Sequence, residues 1–117
     1  MKNLLEQFSG RAYSYSLWEI LVPATDNDGK EIPIKVHQEW DGNVRLMTRG
    51  LTVMRSVKGQ WTSPEGEVYV DKVIPVRIAV DDWSVIDSIV DMTAEHYKQK
   101  AIMYYRLTDE VKIKEFD

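Results

Sequence analysis

Three side chains of this 117-residue chain stand out for the chemistry they could do: Trp61, Asp71 and Gln99. Asp71 sits among Val68, Val70 and Val73, in a stretch whose alternation predicts a strand, so its carboxylate faces either solvent or a site. In a cleft shared with Glu67 or Gln99 it would hold a cationic or amine-bearing ligand by charge-assisted hydrogen bonds. Trp61 would then offer its ring face to the same cation. The plainer alternative is a solvated acid beside a tryptophan that anchors a hairpin by packing. Arg77 and Arg106 suit either surface pairing or carboxylate binding. The ligand-binding candidates are therefore Trp61, Asp71 and Gln99, and no residue type or spacing assigns a catalytic group.

Several chemistries are excluded or disfavoured by composition. There is no cysteine, which removes disulfides, thiolate metal sites and a cysteine nucleophile together. His37 and His96 fall on predicted helices outside any close ligand cluster, so they read as packed or capping side chains, and no metal site is expected. Gly50, Gly59 and Gly66 are too far apart for a phosphate-cradling loop, and no cofactor is expected. The 19 acidic and 15 basic residues are interspersed, with a net charge of -4, which leaves no basic footprint for nucleic acid. No stretch approaches the roughly 20 apolar residues of a membrane span. Residues 1–10 lack the apolar run of a signal peptide, making the cytoplasm the expected location.

The elements that must position these residues follow from periodicity. Tyr13 to Pro23 reads as a strand that ends in the polar loop Thr25 to Gly29. From Ile32 to Arg49, Val36, His37, Trp40, Val44 and Met47 recur three or four apart, as one helical face requires, with Pro33 in the first turn. Gly50 is expected to cap that helix in a left-handed conformation, and Asp41-Gly42 to strain its middle. Leu51 to Trp61 and Val68 to Val80 form a hairpin around Thr62 to Gly66, and Pro75 calls for a bulge or an unpaired edge. Asp81-Asp82 caps a second helix whose stripe is Ile86, Ile89, Val90, Thr93 and Tyr97. Ala101 to Leu107 gives a last strand, which Val111 to Phe116 extends or follows.

This order is two split β-α-β halves, an α+β ferredoxin-like βαββαβ sandwich with two helices on one face of an antiparallel sheet. Residues 1–117 are expected to form one such domain, with 1–11 as an N-terminal arm. The sheet face opposite the helices is left without cover. Tyr13, Tyr15, Trp18, Trp61, Tyr69, Tyr104 and Tyr105 are either ordinary sheet residues or the contact surface for a partner. The expected partners are further copies of the chain, as a dimer or trimer, and a small-molecule ligand.

Gly50-Leu51-Thr52-Val53, followed by Gly59-Gln60-Trp61, Gly66 and the acidic Asp71, resembles the central hairpin of an uncharacterised bacterial domain family, in which the acid is usually glutamate. Tyr97 to Ile102 resembles that family's junction between the second helix and the last strand. More distantly, the layout is similar to that of the phage S-adenosylmethionine lyases. That resemblance implies a ferredoxin-like trimer with its site between subunits. It would put Trp61 where those enzymes have a tyrosine, Asp71 near their functional glutamate and Gln99 at their junction glutamine. A lyase acting on S-adenosylmethionine or a related nucleoside metabolite is the implied activity. The residues themselves favour first a small-molecule-binding ferredoxin-like oligomer with a pocket at a subunit interface, with that lyase activity and a structural or protein-interaction role as the alternatives.

Overall fold

The computed structural model describes residues 11–116, which run β1 (Arg11–Pro23), α1 (Ile34–Met47), β2 (Gly50–Val53), β3 (Val57–Thr62), β4 (Val68–Val80), α2 (Ser84–His96) and β5 (Tyr104–Glu115). The five strands form one antiparallel sheet in the order β2-β4-β1-β5, with β3 also paired to β4. Of the N-terminal arm expected over residues 1–11, Arg11 begins β1 and the rest lies outside the described residues.

Alternation decides which residues are buried. Ile20 and Val22 of β1 and Val76, Ile78 and Val80 of β4 share one face of the sheet, and both helices pack there through Trp40, Val44, Ile86, Ile89 and Tyr97. Each fully buried aliphatic side chain contributes about 1.5–3 kcal/mol. The polar atoms in this layer are matched. The Trp40 indole N–H donates to Thr93 Oγ1 at 2.9 Å, and the Thr93 hydroxyl donates to the Ile89 carbonyl.

Three local expectations need correction, and one at Pro75 is made specific. The first strand of the hairpin is two strands, β2 and β3, interrupted at residues 54–56, and both lie along the same edge of β4. Of the two accommodations expected at Pro75, the structure takes the unpaired edge: its register with Leu21 is regular, without a bulge, and on the other side it falls between the residues paired by β2 and those paired by β3. A residue in a strand points its N–H and C=O to the same edge, and the Pro75 carbonyl accepts from Met54 N–H at 3.0 Å. The missing donor therefore falls at the break between β2 and β3, where no ladder bond is lost. Gly50 begins β2 instead of capping α1, whose end is closed by the Thr48 hydroxyl donating to the Val44 carbonyl at 3.0 Å. Pro33 precedes α1 instead of occupying its first turn, while Asp41-Gly42 is carried without a break. At α2 the expected acidic cap is present two residues before the helix begins at Ser84. Asp82 Oδ1 accepts from the Ser84 N–H at 3.0 Å and from its hydroxyl at 2.9 Å, and these bonds hold the Asp82 carboxyl below its ordinary range.

β4 is longer than its partners and links two regions. Its second half, with β1 and β2, belongs to the helix-backed body. Its first half pairs with β3, from Val57↔Val73 to Thr62↔Val68, and beyond the Pro23↔Val73 pair it forms a two-stranded ribbon. Gly66 closes the ribbon tip at a φ of 88°, a conformation that a β-carbon disfavours.

Candidate functional site

Directly opposed residues in an antiparallel pair point to the same face, so Trp61 and Tyr69 emerge side by side on the ribbon, and Asp71 lies on that face opposite Gly59. The two rings stack with centroids 4.6 Å apart and planes 17° from parallel. Gly59 contributes no side chain across from Asp71, and the Trp61 indole N–H reaches diagonally to Asp71 Oδ2 at 3.4 Å. The Tyr69 hydroxyl donates to Glu67 Oε2 at 2.6 Å, which raises the phenol above its usual value. Trp61 remains 42% and Tyr69 40% exposed. The result is an exposed stacked aromatic pair with a carboxylate at its edge. An open groove of about 420 Å³ lies along the ribbon base, lined by Thr25, Ser56, Val57, Lys58, Val70, Asp71 and Lys72.

Trp61 and Asp71 are thus brought together, and Gln99 is held elsewhere. Its side-chain amide donates to Asn27 Oδ1 and to the Tyr97 carbonyl, both at 3.1 Å. Asn27 in turn donates to the Lys98 carbonyl at 3.2 Å, across a junction where Lys98 takes a positive φ of 55°. Gln99 therefore ties the β1–α1 loop to the end of α2. Tyr69, not Gln99, completes the cluster, and its place two residues before Asp71 on one strand face was the sequence signal for it.

The two histidines are structural, as their helical setting suggested. His37 Nδ1 lies 2.7 Å from the Tyr97 hydroxyl, and His96 Nε2 lies 2.8 Å from the Val36 carbonyl, to which it donates. Burial pushes the His37 pKa down, Asp41 opposes that shift and His96 adds to it. Burial also raises the Tyr97 phenol well above its ordinary value, so it stays the neutral donor in this pair. Among the described residues no group of three or more His, Asp or Glu side chains is placed to hold a metal ion.

A second polar group lies on the sheet face away from the helices. Thr52, Arg77, Glu19 and Tyr105 stand opposite one another across β2, β4, β1 and β5. Glu19 Oε1 accepts from Arg77 Nε at 3.2 Å, and Glu19 Oε2 accepts from the Tyr105 hydroxyl. The Glu19 side chain is only 10% exposed although, among the described residues, no helix covers this face. Sequence reading singled out Arg77 but not its partners, since Glu19 is an unremarkable polar position in an alternating strand.

Architecture and site together describe a ferredoxin-like α+β domain carrying an exposed aromatic and acidic ribbon. Known structures agree on the fold. CutA1 from Oryza sativa superposes with a TM-score of 0.58 at 11% identity, over 91% of this chain and 85% of that one. The divalent cation tolerance protein CutA1 from Thermus thermophilus gives 0.60 at 9% identity, over 80% and 82%. A phage SAM lyase in complex with S-methyl-5'-thioadenosine gives 0.60 at 13% identity, over 97% of both chains. No protein-family model and no curated protein sequence matches this chain.

Proposed function

We propose that the chain is a single-domain, homo-oligomeric protein of the cytoplasm, a dimer or trimer, that binds a small molecule where its β3–β4 ribbon meets a neighbouring copy. The observation that carries this reading is the Trp61–Tyr69–Asp71 cluster, which has the chemistry of a pocket wall and stays substantially exposed among the described residues. The stacked rings suit a flat, electron-poor or cationic group, and the Asp71 carboxylate suits an amino group or positive centre beside it. The hairpin signature around Gly50 to Trp61, which resembles that of an uncharacterised bacterial family, covers the same region. Sedimentation velocity at micromolar concentration tests assembly. One species larger than the 13.6 kDa chain is expected, and a monodisperse monomer would remove the reading.

A second reading, lyase action on S-adenosylmethionine or a related nucleoside metabolite, is favoured by the phage SAM lyase superposing over 97% of both chains. In such a pocket the protein would hold a reactive conformer, with little acid-base chemistry to supply. Incubation with S-adenosylmethionine should release methylthioadenosine and raise the melting temperature, and Trp61→Ala should abolish both effects. If neither product nor a thermal shift appears with the wild type, the lyase assignment falls, and binding of another ligand stands on its own.

A further inference from the structure

The uncovered sheet face carries a pattern that names its own partner. On β4 the residues of that face are, in order, Tyr69, Asp71, Val73, Pro75, Arg77 and Ala79, an uninterrupted series because the register runs without a shift from β3 to β1 through Val73. Two apolar residues occupy the centre, with an acid on one side and a base on the other at equal distances from Ile74. Read in the opposite direction, the series presents base where it presented acid. It is therefore complementary to a second copy of itself.

Both charged ends have capacity left over. Arg77 commits Nε to Glu19, which fixes the guanidinium, while its side chain stays 45% exposed and its outer N–H groups lie beyond that contact. A guanidinium held in this way is prepared for bidentate recognition of a second carboxylate. Asp71 accepts the long Trp61 bond and forms no ion pair among the described residues. Within one chain the two cannot meet, because six strand residues separate them by about 20 Å.

We infer that a second copy covers the helix-free face so that Asp71 of one chain engages Arg77 of the other, on the platform formed by Glu19 and Tyr105. This contact rests on the assembly reading above and deepens it. It seats the Trp61–Asp71 wall against the Arg77 row of a neighbour and thereby supplies the opposite side of the proposed pocket. Glu19 then acts as a positioning residue: it aims Arg77 and leaves the outer guanidinium edge for the neighbour.

Charge reversal in the full-length protein tests the contact by sedimentation velocity, with circular dichroism to check folding. Asp71→Lys changes an exposed side chain and should weaken association on the order of tenfold or more while the spectrum stays native. The triple variant Asp71→Lys, Glu19→Lys, Arg77→Glu inverts every pair, keeps the intrachain partner of position 77, and should restore the wild-type sedimentation coefficient. An oligomeric wild type with an unchanged Asp71→Lys variant overturns this contact and leaves assembly intact. A monomeric wild type overturns the assembly reading itself.

Discussion

The two halves of β4 share one sequence pattern and meet opposite fates. Val76, Ile78 and Val80 alternate beneath the helices and are almost completely buried, whereas Val68 and Val70 alternate in the same way on the ribbon and are 66% and 56% exposed. Strand formation needs only the alternation, which both halves have. Burial needs a second layer, and both helices are already placed over the body. A ribbon of two strands holds itself together poorly in water, and in the single chain it leaves an apolar and aromatic surface exposed that the body does not cover.

The contrast predicts unequal mutational costs. Ile78→Ala should remove about 2–5 kcal/mol from global stability, by loss of transfer energy plus an unfilled cavity, while Val70→Ala should stay within about 0.5 kcal/mol for dissociated chains. Denaturant unfolding at low protein concentration measures both, and equal losses would erase the distinction between body and ribbon. Acid should act on the body through His37. The folded-state pKa of His37 lies below its unfolded value of 6.5, so the folded state binds fewer protons there. The stability this provides is complete above pH 6.5 and diminishes as pH falls below it toward the folded-state value. His37→Gln should flatten that part of the profile, as denaturation at about pH 7.5 and about pH 5.5 would show. The smallest global effect is expected at the ribbon tip. Gly66→Ala should cost about 1 kcal/mol locally because of its positive φ, and should speed amide exchange in β3 and the first half of β4 without moving the main unfolding midpoint.

Much of this architecture was legible from periodicity. The α2 stripe of Ile86, Ile89 and Thr93, the α1 positions Trp40 and Val44, and the alternating Val76, Ile78 and Val80 of β4 each bury what their spacing said they would. The break between β2 and β3 was hidden because Leu51 to Trp61 reads as plausibly one strand as two. The break is set by what lies across the ladder, where Pro75 cannot donate. Gly50 misled for a related reason: a glycine after a helix signals a left-handed cap, but here Thr48 closes the helix with its own hydroxyl. In the candidate site, Trp61 and Asp71 were joined correctly because a hairpin fixes which residues face each other. Gln99 belongs to another element, and its hold on Asn27 depends on a loop path that no local pattern encodes.

Pro75 has a mechanical consequence as well. On the β2/β3 edge no ladder bond ties ribbon to body at that residue beyond the one from Met54, so load passes mainly through the β4 backbone and the Ala24–Lys72 bond on the other side. The ribbon is then a lever with its fulcrum near Pro75. Trp61 and Tyr69 sit about 20 Å out along it, and a tilt of about 10° would swing the aromatic pair by about 3.5 Å. A neighbour that gripped the ribbon at Asp71 would set the position of the rings by fixing that angle.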